Sequence, residues 1–306
     1  MPLLLMRIIL IRMERPDAKS STTLAAVARP VINYAPKVIA GELATVRRSQ
    51  TTPNGQPPIL FLHGAFGGPE MWRRFIAPWF AARGREVATP DLRTGPHARL
   101  RAYVAAARAA ADALDAPPVV VGHSLGGLIA QHLAAERPVA GLALVGSPGP
   151  FGIAPSLMQL STVRPRALAA LLAAQAGAGA LLSVAAVRET LFTSDTPETW
   201  IREHAPSPAP ESPLALLDAM TWDLPAWMLA RRAPTLALLG AADAFIPPTD
   251  LMALAAFYGA ETAVLAEMAH GAPIDPHWKR IAWRLDAWME EKVAPRLARD
   301  EAAALV

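Results

Sequence analysis

Downstream of residue 57, six short apolar runs recur along the chain, at 58–62, 86–89, 119–121, 142–145, 235–239 and 262–265. Most are apolar at successive positions and do not alternate with polar residues. A strand open to water on one side alternates, whereas a strand covered on both sides does not, so the runs predict a buried, mostly parallel sheet. Between them lie segments with the three-to-four-residue apolar spacing of helices. Residues 100–114 are alanine-rich and end before Pro117-Pro118, 128–136 stop short of Pro138, and 250–258 run into Gly259, a residue suited to a left-handed helix end. Residues 278–293 place Ile281, Leu285 and Trp288 on one face. Upstream, 38–48 have the pattern of an antiparallel edge strand or hairpin.

The alternation of strands and helices breaks once. Residues 151–232 carry no strand pattern, only Ala/Leu-rich helical stretches and the cluster Ala205-Pro206-Ser207-Pro208-Ala209-Pro210. This predicts a helical insertion lying over one end of the sheet, with the prolines stiffening a link between two of its helices. The expected organisation is an N-terminal extension at 1–36, partly flexible, an α/β core at 37–150 and 233–306, and a helical cap at 151–232.

Composition narrows the function. The chain of 306 residues is 53% hydrophobic and 18% charged, enough apolar content for one large core. A net charge of +3, with Arg and Lys scattered, argues against a nucleic-acid footprint. The absence of cysteine removes disulfides, thiolate metal sites and a thiol nucleophile, and fits a cytoplasmic protein. The apolar stretch at the start is interrupted by Arg7 and Arg12 before it reaches signal-peptide form, and no segment has the pattern of a membrane span.

The strongest chemical signal is Gly122-His123-Ser124-Leu125-Gly126-Gly127, starting where a buried strand ends and a helix begins. G-x-S-x-G at that junction forms a tight turn that lifts the serine hydroxyl above the sheet, against the positive end of the following helix. A second glycine-rich stretch, His63-Gly64-Ala65-Phe66-Gly67-Gly68, follows the first strand. Its backbone amides suit the stabilisation of an oxyanion: Ala65 is the first choice, Phe66 the next, and Leu125 the partner amide after the serine.

Serine needs a base, and the base needs an orienting acid. Of seven histidines, His63 and His123 belong to the two motifs. His97, His132 and His204 lie on other segments, and His277 adjoins the final helix. His270 follows the last strand and precedes Gly271, which places it on a loop at the sheet end that carries Ser124. Asp243, in the loop after strand 235–239, is the expected acid. Asp250 reads as a helix cap, and Gly146-Ser147-Pro148 offers no carboxylate. Along the chain the three candidates run in the order Ser124, Asp243, His270.

With these residues in place, the chain from about Pro58 to Trp288 resembles the α/β-hydrolase superfamily, in its capped serine esterase and lipase branch. The resemblance rests on His63-Gly64, Gly122 to Gly126, the Asp243 loop and His270-Gly271. It implies an α/β-hydrolase fold, helices on both faces of the sheet, and hydrolysis of a small or medium, apolar carboxylic ester, thioester or lactone through an acyl-enzyme on Ser124. Acyl transfer, perhydrolysis and carbon–carbon hydrolysis use the same triad, and a receptor could keep the pocket without turnover. The small-molecule substrate requires no metal or organic cofactor. Met158, Leu160, Leu171, Leu172, Leu191, Phe192, Trp200 and Trp222 supply the apolar character expected of the cap.

Overall fold

The computed structural model describes residues 56–230 and 233–304. The expected extension at 1–36 and the strand at 38–48 lie outside the described residues. The six expected strands all form: β1 (Ile59–Leu62), β2 (Val87–Ala88), β3 (Val119–His123), β4 (Gly141–Val145), β5 (Thr235–Gly240) and β6 (Glu261–Leu265). They build one sheet in the order β2-β1-β3-β4-β5-β6, with every pairing parallel.

The uninterrupted apolar runs reflect two covered faces. Leu60, Leu62, Val120, Leu142, Leu144, Ala237 and Leu239 point to one side, where they pack with α3 (Leu100–Asp112), α4 (Leu125–Glu136) and α11 (Pro248–Tyr258). Ile59, Phe61, Val119, Val121, Ala143, Val145, Leu236 and Leu238 point to the other. There they meet α1 (Glu70–Arg73), α2 (Ile76–Ala81) and α12 (Lys279–Trp288), which a further turn extends through Val293 into α13 (Ala294–Ala304). Alternate side chains of each strand thus enter separate cores, and both must be apolar.

Between β4 and β5 the described residues contain helices and no strand. These are α5 (Ala154–Val163), α6 (Pro165–Ala173), α7 (Val184–Leu191), α8 (Glu198–His204), α9 (Pro213–Leu217) and α10 (Trp227–Ala230). Their second half is tied to the start of α3. Asp218 accepts from the Leu100 amide at 3.1 Å and pairs with Arg99 at 3.1 Å, Ser212 Oγ donates to the Ala98 carbonyl at 2.6 Å, and Arg101 grips Asp223 through two contacts of 2.6 Å. Asp218 supplies an acceptor that the first turn of α3 lacks within the helix.

The strand order reverses direction at β1, which has β2 on one side and β3 on the other. In open parallel sheets the crevice at such a reversal, beyond the carboxyl ends of the strands, is where ligands bind. The two glycine-rich motifs follow β1 and β3 and so flank that crevice.

Candidate active site

Ser124 sits between β3 and α4 with φ 52° and ψ −125°, a conformation unfavourable for any residue with a side chain. The turn is held by the Ser124 amide donating to the Val145 carbonyl at 3.2 Å and by the Gly127 amide donating to the Ser124 carbonyl at 2.8 Å. Glycine is required nearby for space. A Cβ on Gly126 would lie 2.4 Å from the carbonyl oxygens of both Leu62 and His63, and one on Gly122 would lie 2.4 Å from that of Gly126. A Cβ on Gly64 would lie 2.9 Å from the Cβ of Ser124, so the loop after β1 passes directly against the serine.

Three loops bring the expected trio together. His270 Nε2 is 3.1 Å from Ser124 Oγ, and His270 Nδ1 is 2.9 and 3.0 Å from the two carboxylate oxygens of Asp243. Asp243 Oδ1 also accepts from the amides of Phe245 and Ile246 at 2.8 and 2.9 Å, which fixes the carboxylate before it meets the ring. With Nδ1 donating to Asp243, Nε2 is the ring atom free to accept the serine proton. The Asp243 side chain is 2% exposed, which shields the pair from competing water.

His123 supports this arrangement from beneath. Its Nε2–H donates to the His270 carbonyl at 2.7 Å. Burial, reinforced by the nearby His270, pushes its pKa down to about 3, so it stays neutral. A neutral His123 leaves room for a positive charge on His270, whose ring centroid lies 4.8 Å away. His63 braces the other motif, with Nδ1–H donating to the Gly64 carbonyl at 2.9 Å and Nε2 accepting from the Leu92 amide at 3.0 Å. The remaining histidines lie elsewhere: His97 and His277 are exposed, His132 donates to the Asp223 carbonyl, and His204 meets Trp200 edge-on.

Two expectations need correction. Phe66 does not offer a free amide: its N–H donates to Glu211 Oε1 at 2.8 Å. Asp250 does not cap its helix, because α11 begins at Pro248 and the carboxylate is buried in its first turn. Burial pushes its pKa up to about 7, against a hydrogen bond from the Gly149 backbone. Pro248, which has no amide hydrogen to satisfy, takes the first helical position and removes the need for a cap there.

A cavity of about 340 Å³ opens over Ser124 and His270, bordered by Ala65 and Leu125 as well. Its walls are mostly apolar and come largely from the insertion, including Leu160, Leu171, Leu172 and Leu191. The other expected apolar residues serve differently. Met158 is exposed, Phe192 joins the core beneath, and Trp200 stacks on Phe75 and donates to the Ile274 carbonyl. The Trp222 side chain lies outside the described residues. The insertion also touches the base loop, where the Gly271 amide donates to the Leu191 carbonyl at 2.7 Å.

Residues 59–285 match the alpha/beta hydrolase family, and the chain belongs to that family. Among curated proteins, it is similar to the mouse (Mus musculus) sn-1-specific diacylglycerol lipase ABHD11, at 36% identity over 89 residues. That match covers 27% of this chain and spans 29% of the relative's length. Among solved structures, an esterase from Thermogutta terrifontis superposes with a TM-score of 0.58 at 23% identity, over 77% of this chain and 90% of the other. A monoacylglycerol lipase from Paleococcus ferrophilus superposes at 0.54 and 17% identity, over 77% and 95%. At these identities the two structures establish the shared fold.

Proposed function

We propose that the protein is a serine hydrolase that cleaves small or medium, apolar carboxylic esters, thioesters or lactones through an acyl-enzyme on Ser124. The observation that carries this reading is the hydrogen-bonded chain Ser124–His270–Asp243 opening into an apolar cavity. His270 Nε2 takes the Ser124 proton as Oγ attacks the substrate carbonyl, and Asp243 stabilises the resulting imidazolium. The amides of Ala65 and Leu125 receive the oxyanion. Leu125 is the first residue of α4, so its N–H has no acceptor within the helix. His270 then protonates the leaving oxygen or sulfur. A water deprotonated by the same ring releases the acid and regenerates the serine.

The insertion at 151–232 acts as a cap in this reading, since it supplies most of the apolar wall and sets which acyl groups fit. The esterase and lipase names of the relatives agree with this chemistry.

The test is intact-protein mass after treatment with a fluorophosphonate, for wild type and Ser124→Ala, followed by an ester panel of graded chain length. A single adduct that the variant lacks, with hydrolysis of the panel, is the expected result. An unlabelled, folded wild type that binds esters without turning them over would overturn the proposal in favour of a ligand receptor. Adding an alcohol to the assay separates hydrolysis from acyl transfer by the product formed.

A further inference from the structure

The carboxylate of Glu211 lies outside the serine–histidine–aspartate chain, and it is only 3% exposed. It reaches across from the insertion into the loop after β1. Oε1 accepts from the Phe66 amide at 2.8 Å, and Oε2 accepts from the Tyr103 hydroxyl at 2.7 Å. Its own backbone is clamped on both sides by Gln175, whose Oε1 accepts from the Glu211 amide at 3.2 Å and whose Nε2 donates to the Glu211 carbonyl at 2.9 Å. A buried carboxylate is costly unless it is hydrogen-bonded, and here each oxygen accepts from one donor.

What the carboxylate holds is an unusual backbone. Phe66 has φ 61°, left-handed for a residue with a Cβ, and such a conformation persists only where the surroundings impose it. The insertion grips both polar groups of this residue, because the Ala209 amide donates to the Phe66 carbonyl at 3.0 Å. Ala65, directly before it, borders the cavity beside Ser124. The direction of the Ala65–Phe66 peptide and that of the Gly64–Ala65 amide are linked through adjoining backbone torsions. A loop freed at Phe66 relaxes toward right-handed or extended torsions and carries the Ala65 N–H with it.

We propose that Glu211 is a positioning residue for oxyanion stabilisation: it fixes the left-handed Phe66 so that the Ala65 amide points at the developing charge. The insertion then completes the reaction centre as well as walling the cavity. This rests on the serine hydrolase reading above, and the experiment separates the two.

Active sites are first counted by fluorophosphonate labelling, and every rate is expressed per labelled site. Glu211→Ala is expected to lower kcat by about 10- to 100-fold with KM within about threefold, the size seen when an oxyanion donor is displaced. Affinity for a trifluoromethyl ketone, which forms an oxyanion on the serine, falls by a similar factor. Glu211→Gln keeps an oxygen acceptor for the Phe66 amide and restores most of both losses. If Glu211→Ala does not fold, Glu211→Asp keeps the charge but draws it back from Phe66, and an intermediate loss is expected. A wild type that neither labels nor turns over overturns the hydrolase reading itself. A wild type that labels, with Glu211→Ala or Glu211→Asp unchanged in kcat and ketone affinity, or altered only in KM, overturns the positioning role alone.

Discussion

The sheet and the insertion are both rich in Leu, Val and Ala, yet they use those residues differently. The strands at the centre of the sheet are buried throughout, with every residue of β1, β3, β4 and β5 inside. The insertion leaves large apolar side chains in water. Among the described residues, nine of the twelve exposed large hydrophobic residues lie within 151–230, Leu181, Met158, Met228 and Val163 among them. Strand residues answer to one demand, packing between two helical layers. Insertion residues answer to several at once: packing on the core, lining a cavity and facing outward. The core is therefore expected to set whether the reaction occurs and, Glu211 apart, the insertion to set which substrate undergoes it.

That contrast can be broken by experiment. Ser124→Ala should cost about 10⁴-fold or more in kcat/KM for every ester alike, with the melting temperature little changed. Steady-state kinetics on acetate and octanoate esters check it, and unequal losses would blur the division. Gly126→Ala comes next. Its methyl group has to displace the Leu62 and His63 carbonyls, so a loss of about 3 kcal/mol or more is expected in urea unfolding, or no soluble protein at all.

Asp250 tests the core through pH. Its folded pKa of about 7 lies above the value of about 4 for an unfolded aspartate. The native state therefore binds the proton more tightly, and this group's contribution to stability is fully present below about pH 4 and is lost as pH rises through 7. Asp250→Asn removes that dependence. The variant should be more stable than wild type at pH 8, on the order of 4 kcal/mol, with the gap closing toward pH 4. Chemical denaturation across that range decides it, and a gap independent of pH would refute the buried-acid reading.

Away from Glu211, the cavity wall supplied by the insertion should show the smaller and more selective effect. Leu171→Trp, on the cavity wall, is expected to lower kcat/KM for the longest accepted ester by about tenfold relative to acetate, with thermal stability preserved. A uniform loss across chain lengths would assign Leu171 to the reaction centre instead.

The same contrast explains what could be read in the sequence. The four central strands were visible because burial on both faces leaves an unbroken apolar run, while β2 and β6 at the sheet edges are only partly buried and showed through shorter, less apolar runs. The serine, its histidine and its aspartate each stand beside a strand end and a glycine or a turn, so local pattern located them. The helix after Ser124 begins at Leu125, three residues before its apolar periodicity suggests, because Gly126 and Gly127 carry no side chain to mark it. Glu211 was not legible. It lies in a proline-rich link without periodicity, and its partners Phe66 and Tyr103 are 145 and 108 residues away in the chain. Asp250 misled because a carboxylate at a helix start usually caps, and only the fold reveals that this one is enclosed.

In the proposed mechanism, because His270 follows the last strand of the sheet, a chain emerging from the ribosome presents its serine well before its base. The two residues are 146 positions apart. At roughly 5–20 residues per second, that interval lasts about 7–30 seconds. Throughout it the nascent polypeptide would hold the proposed nucleophile without its base, so translation itself would delay reactivity. On that reading, a chain released short of that loop would lack the base and have no activity.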